Sequence, residues 1–288
     1  MTVAPPAAHS WRTARRALPL ERAVILGILT VTPDSFRDGG RHFAPADAVR
    51  TALAMQQAGA DILDVGGEST RPGSRAPEEA EELRRVVPVV ERLVGEVGLP
   101  VSVDTRRASV ARAALAAGAE IVNDVSALTH DPAMAGVVAE AGAGVVLMHM
   151  RGEPATMDKH ATYADVVAEV AAELAERRDA ALAAGITPEA IVLDPGLGFA
   201  KTTAHNLVLL ARLDAIAVLG CPVLVGPSRK RFLGAVTGRA LNERDAATAA
   251  ACVAARMRGA ALFRVHDVLP TREALDLADA VLAAGAGE

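Results

Sequence analysis

Asp104, Asn123 and Asp194 each follow directly on a short run of aliphatic residues, and that placement carries chemistry. Two carboxylates accept hydrogen bonds, while an amide both donates and accepts. Pointed into one pocket, the three match the edge of a guanine-like heterocycle, which presents an amino group, a ring N–H and a carbonyl. Cations stand at comparable places further on. Gly226-Pro-Ser-Arg-Lys-Arg231 ends one apolar run, and Arg264-Val-His-Asp267 ends the next. Three adjacent cations, Arg229, Lys230 and Arg231, at a helix start suit an anion. Residues two apart on a strand share a face, so Arg264 and His266 point the same way, as a diphosphate clamp would require. Each acid alone could simply cap a helix, and His266 alone could be structural; the set is harder to dismiss.

The elements that position these residues repeat. Val24 to Leu29 runs into Thr30, Ile62 to Val65 leads to Glu68, and Val145 to Met148 meets His149, with Met148 read as apolar pocket wall. Between the runs lie segments rich in Ala, Glu, Arg and Leu, which favour helix. Ala58-Gly59-Ala60, Ala117-Gly118-Ala119, Ala141-Gly142-Ala143 and Gly259-Ala260 punctuate their ends, where glycine suits a left-handed C-cap. Helix starts are expected at Pro45, Pro77, Thr187-Pro188 and Asn242. About eight strand–helix units imply a parallel sheet. The first strand runs into Thr30-Val-Thr-Pro-Asp-Ser-Phe without the G-x-G-x-x-G of an open dinucleotide-binding sheet. A single α/β domain, a (β/α)8 TIM barrel with its chemistry at the C-terminal rim, is the better reading. It spans residues 23–288, after an N-terminal extension of residues 1–22 expected to be disordered or loosely packed.

Composition narrows the function classes. The 288 residues are 51% hydrophobic and 23% charged, with a net charge of −5, one Trp, one Tyr and five Phe. Neither the basic surface nor the aromatic platforms of a nucleic-acid binder are present in quantity. No apolar stretch is long enough for a membrane span. Cys221 and Cys252 have no metal spacing and read as reduced thiols in a cytoplasmic protein. Asp194 to Thr202 ends in Lys-Thr like a P-loop, but Pro195 stands where that motif needs glycine. The loops 32–40 and 66–73 are rich in turn formers and long enough to work at the rim, and Arg71 beside Ser69 and Thr70 suits a phosphate or carboxylate.

In order, the chain carries G-I-L-T-V-T-P-D-S-F-R-D-G-G, G-G-E-S-T-R-P-G, S-V-D-T, D-P-G-L-G-F-A-K, G-P-S-R-K-R-F-L-G and R-V-H-D-V. From Ala23 onward it resembles the dihydropteroate synthases, sulfonamide-target transferases of folate biosynthesis. The resemblance implies that 6-hydroxymethyl-7,8-dihydropterin diphosphate is joined to 4-aminobenzoate, releasing pyrophosphate. It implies Asp104, Asn123 and Asp194 on the pterin edge, with Lys230 beside them, and Arg264, His266 and Thr70 on the diphosphate with Arg71 nearby. Phe36, Pro72 and Phe199 would wall the aminobenzoate, and Asp34 or Asp38 would offset the transient cation. Lys230, Asp38 and Arg71 carry the catalytic expectation, Mg²⁺ is the implied cofactor, and a homodimer is implied. Two positions depart from the family's usual pattern. Thr30 stands where an Mg²⁺-contacting Asn is usual, and Arg231 where some relatives have serine. A methyltransferase acting on methyltetrahydrofolate would not need the diphosphate set, and a non-catalytic pterin-binding paralogue is favoured only by Thr30.

Overall fold

Alternation of side chains along short aliphatic strands is what closes this chain on itself. The structure, a computed structural model, describes residues 10–31, 45–68 and 77–286. Eight parallel strands form the barrel: β3 (Val24–Thr30), β4 (Ile62–Gly66), β5 (Val101–Asp104), β6 (Ile121–Asp124), β7 (Gly144–Met148), β8 (Ile191–Asp194), β9 (Leu224–Val225) and β10 (Leu262–Val265). Their order is β8-β7-β6-β5-β4-β3-β10-β9. The ring closes where the Leu193 N–H donates to Pro222 O (3.0 Å) and Leu193 bridges Val223.

One set of side chains, Leu26, Ile62, Ile121, Val146, Val192, Leu224 and Leu262, fills the barrel floor. The alternate set, including Ile25, Leu63, Val103, Val122, Leu147, Leu193 and Phe263, meets the surrounding helices. Those helices are α1 (Pro45–Gln57), α2 (Glu79–Glu96), α3 (Ala108–Ala116), α4 (Met134–Ala141), α5 (Val166–Ala183), α6 (Thr203–Ala211), α7 (Asp214–Ala217), α8 (Arg231–Thr237), α9 (Asp245–Arg256) and α10 (Val268–Ala286). The glycines expected to end helices do so: Gly59, Gly118, Gly142 and Gly259 all have positive φ. Thr187-Pro188 does not begin a helix of useful length. Pro188–Ala190 makes one 3₁₀ turn and enters β8 at once.

From residue 10 onward the N-terminal segment is packed, which corrects the expected loose extension. β1 (Ser10–Arg12) and β2 (Ala17–Pro19) form an antiparallel hairpin over the bottom of the barrel. Trp11 and Leu20 are fully buried and join the floor cluster. The Trp11 indole N–H donates to Ala190 O (2.9 Å), and Thr13 Oγ1 donates to the buried Glu120 (2.7 Å). The fold needs this plug because an open barrel would leave its lowest apolar layer wet. Trp11→Ala is therefore expected to cost about 3–5 kcal/mol of stability; an unchanged denaturation midpoint would remove the hairpin from the core.

Candidate active site

The functional side chains stand two residues further along the strand face that builds the floor. Ile62 leads to Asp64, Ser102 to Asp104, Ile121 to Asn123, Val146 to Met148, Val192 to Asp194, and Leu262 to Arg264. A polar layer thus sits on an apolar one at the C-terminal rim. Arg264 ties it together, its Nε donating to Asp64 (2.6 Å) and its Nη2 to Asp104 Oδ2 (2.7 Å). Asn123 Nδ2 donates to the same Asp64 oxygen (3.2 Å). The amide carbonyl of Asn123 and the second oxygen of Asp104 remain for a ligand's N–H groups. Burial pushes the Asp104 carboxyl up to about 7; Arg264 pulls it down, and Asp64, Glu68 and Glu82 add to the rise.

Asp194 is placed by its own loop, whose Gly196 N–H donates to Oδ1 (2.7 Å), leaving Oδ2 for a ligand. Burial raises this carboxyl to about 6, against that hydrogen bond and the charge of Lys230. Two glycines let the loop fold this tightly. A Cβ on Gly196 (φ +67°) would stand 2.0 Å from His149 O, and one on Gly198 (φ +79°) 2.9 Å from Lys230 Cδ. Lys230 lies over Gly198 with its ammonium 3.8 Å above the Phe199 ring. Burial, then the Arg264 charge, bring this ammonium down to about 7, while Asp194 and Asp104 hold it up. Met148 and Phe199 share an apolar patch with Val125, Met157 and Ala200.

The triple cation of the sequence comes apart, which corrects its reading as one anion cluster. Arg229 adopts a left-handed backbone (φ +56°) and turns outward to Asp245 (2.7 and 2.9 Å). The Arg229 N–H donates to Thr248, and Arg244 Nη1 donates to the carbonyls of Arg229 (3.1 Å) and Lys230 (3.3 Å). Arg231 is exposed and pairs with Asp158 (2.7 Å). Only Lys230 of the three enters the pocket. At the neighbouring strand end, His266 Nδ1 is 2.8 Å from Ser228 Oγ, and its backbone N–H donates to the same hydroxyl. Thr30 ends β3 half-buried, paired in register with Gly66.

A pocket with an acidic and amide wall, an apolar side and two interior cations fits a polar planar ring carrying an anion, and comparison with known proteins names it. The family profile described as pterin binding enzyme matches residues 26–266. The dihydropteroate synthase of Mycobacterium leprae is 51% identical over 268 residues, covering 91% of this chain and 94% of that protein. The Escherichia coli K12 enzyme of the same name is 45% identical, with 93% and 95% covered. The chain belongs to the pterin-binding enzyme family, among the dihydropteroate synthases. Its barrel superposes on the Xanthomonas albilineans dihydropteroate synthase solved with 4-aminobenzoic acid, with TM-score 0.90, 49% identity, and 96% and 99% of the two chains covered. The same enzyme in complex with 7,8-dihydropteroate gives TM-score 0.86 at 47% identity, covering 95% and 99%.

Not all the residues expected from the sequence fall among those described. Asp34, Phe36, Asp38, Thr70, Arg71 and Pro72 lie outside the described residues. Among those described, Thr30, Asp104, Asn123, Met148, Asp194, Phe199, Lys230, Arg264 and His266 all stand at the C-terminal end of the barrel. Glu68 and Asp124 do not serve this dihydropteroate synthase pocket directly. Glu68 pairs with Arg106 (2.8 Å), and Asp124 receives the Ser126 and Leu128 N–H groups, holding its own loop. Sequence reading passed over Asp64, hidden inside an apolar run, although it shares a face with Ile62. It also passed over Lys201, considered only as a failed P-loop lysine. No helix is long and apolar enough to cross a membrane, among the described residues.

Proposed function

We propose that the pocket performs the condensation of this family as follows. The pterin amino group and ring N–H donate to the remaining oxygens of Asp194, Asp104 and Asn123. The ring edge is then satisfied only when the methylene carbon faces Lys230 and the rim. The C–O bond to the diphosphate breaks, its electron pair leaving with oxygen, and the dihydropterin ring spreads the resulting positive charge. Lys230, the Arg264 guanidinium and His266, with Thr70 and Arg71 from the second loop, stabilise the departing anion. The amine of 4-aminobenzoate forms the new C–N bond, and its surplus proton passes to solvent or pyrophosphate. An aniline is neutral at pH 7, so the protein contributes orientation rather than a strong base. Phe199, Phe36 and Pro72 are the proposed apolar walls for that ring, and Asp38 the carboxylate that offsets the cation.

Mg²⁺ is part of the proposal. Among the described residues no three His, Cys, Asp or Glu side chains cluster for a metal. Thr30 offers one hard oxygen at the mouth, which suits a Mg²⁺ that would keep several waters and take its anionic ligands from substrate phosphates. Bound there, the ion would supply further neutralisation of leaving-group charge. Thr30→Asn, which lengthens the donor and makes it an amide, is expected to lower the Mg²⁺ concentration giving half-maximal rate; an identical titration would place the ion elsewhere.

The proposal extends to a cytoplasmic homodimer. Buried free Cys221 and Cys252 fit a reducing compartment. Exposed Leu207 and Val208 on α6 and Val236 on α8 offer apolar surface for a second copy; a monomer in sedimentation equilibrium would contradict that part.

The observation that carries the function is the junction of Asp104, Asn123 and Asp194 with Lys230 and Arg264 at one barrel mouth. The test is pyrophosphate release from pterin diphosphate with and without 4-aminobenzoate. Release that depends on the amine is expected. Equal release without it, or none, would contradict the reading and favour a hydrolytic or purely binding role.

A further inference from the structure

Behind the pocket lies a buried lysine that the condensation does not use. Lys201, 5% exposed, has its Nζ 2.9 Å from His149 Nδ1, 3.0 Å from Phe199 O and 3.5 Å from His149 O. Three acceptors surround a group with three N–H bonds. On the far side of the imidazole, His149 Nε2 is 2.9 Å from Glu173 Oε2. A carboxylate only accepts, so Nε2 carries the hydrogen and Nδ1 is left as the acceptor for Lys201. Burial and the Lys201 charge hold this imidazole down to about 3, against the pull of Glu173, and keep it neutral. Arg151 completes the chain, its Nε donating to Glu173 Oε1 (3.0 Å) and its guanidinium lying 4.1 Å over the Tyr163 ring.

These groups come from three different elements. His149 follows β7, Lys201 ends the loop after β8, and Glu173 stands on α5. That loop begins with Asp194 and carries Gly196 against His149 O, Gly198 under Lys230, and Phe199 beneath the Lys230 ammonium. Between Phe199 and Lys201, Ala200 is held in the left-handed region (φ +49°), which alanine rarely occupies. The Lys201 bond to Phe199 O spans this unfavourable turn and clamps it. Strain of this kind persists only where surrounding contacts over-determine it.

We infer that Lys201 is a positioning residue for the pterin subsite: bolted through His149 to Glu173, it fixes the 194–201 loop so that Phe199 supports Lys230 and Asp194 keeps its aim. The inference rests on the pterin-condensing reading of the same pocket.

The test is calorimetry with pterin diphosphate, together with steady-state kinetics, on four variants (Lys201→Met, Phe199→Ala, the two combined, and Glu173→Gln) and the unaltered chain. Lys201→Met fills the site without charge, and replacing a buried ion by an apolar group of similar volume commonly leaves a fold intact. It is expected to weaken pterin diphosphate binding about 10–100-fold, a larger effect than the rise in KM for 4-aminobenzoate, whose ring Phe199 walls only in part. Combined with Phe199→Ala, it is expected to add less than about threefold to the Phe199→Ala loss, because the two act through one contact. Glu173→Gln, at the solvent side of α5, keeps an acceptor for Nε2 but removes the charge; it is expected to weaken pterin binding about 3–10-fold and serves if Lys201→Met does not fold. Pterin binding within about twofold of normal in both Lys201→Met and Glu173→Gln, or losses that multiply fully in the double, would overturn the inference. Failure of the unaltered chain to bind pterin diphosphate would instead overturn the proposed function, and this inference with it.

Discussion

Lys230→Ala is expected to lower kcat by about 10²–10³-fold, the loss typical when one preorganised charge aimed at a developing anion is removed. Among the described residues no other cation is free to replace it. Arg229 is committed to Asp245 and Arg231 to Asp158, and Arg264 already spends two donors on Asp64 and Asp104. The Lys230 ammonium, brought down to about 7 by burial and by the Arg264 charge, should also shape the pH profile. Free enzyme loses this cation as pH rises through about 7, so kcat/KM should fall on that side, and the descending limb should vanish in Lys230→Ala. A near-normal kcat for the variant would exclude Lys230 from leaving-group stabilisation.

Asp194→Asn is expected to weaken pterin binding by about 2–4 kcal/mol. The amide keeps an oxygen for the Gly196 N–H but loses a charged acceptor and turns N–H groups toward a ligand edge that itself donates. In the unaltered chain, affinity should fall about tenfold for each pH unit below about 6, as the carboxyl takes up its proton. Asp194→Asn should lose the share of that dependence that belongs to this carboxyl and keep the share due to Asp104, itself raised to about 7. Stability gives an internal control. The folded carboxyl titrates above the ordinary 3.8, so between 3.8 and about 6 the unfolded state holds fewer protons and the unaltered chain loses stability as pH rises. Asparagine does not titrate, so the variant should be no less stable at pH 7. Unchanged affinity by calorimetry, or an affinity loss tracking a loss of fold, would remove Asp194 from the pterin contact.

Much of this site was legible because a parallel barrel writes its active site into strand ends. Asp104, Asn123 and Asp194 stand out as polar residues closing apolar runs, and Gly59, Gly118, Gly142 and Gly259 mark helix ends through φ values that other residues avoid. What stayed hidden depends on tertiary contact. Arg229, Lys230 and Arg231 look equivalent in sequence; a left-handed Arg229 and its bond to Asp245 send one outward and the next inward. Asp64 reads as an interruption in a strand until its ion pair with Arg264, two strands away, explains it. His149 and Lys201, 52 positions apart, carry no local signature of their pairing. Trp11 lies in the segment expected to be loose, and its burial follows from the need to seal the floor.

The most direct test of the central claim is a crystal structure of the chain with pterin diphosphate bound. The expected result places the ring's amino and N–H edge within hydrogen-bond distance of Asp194, Asp104 and Asn123, with Lys230 at its rim and the diphosphate toward Arg264 and His266. A ring seated outside that wall, or a diphosphate on the opposite side of the barrel mouth from Lys230, would contradict it.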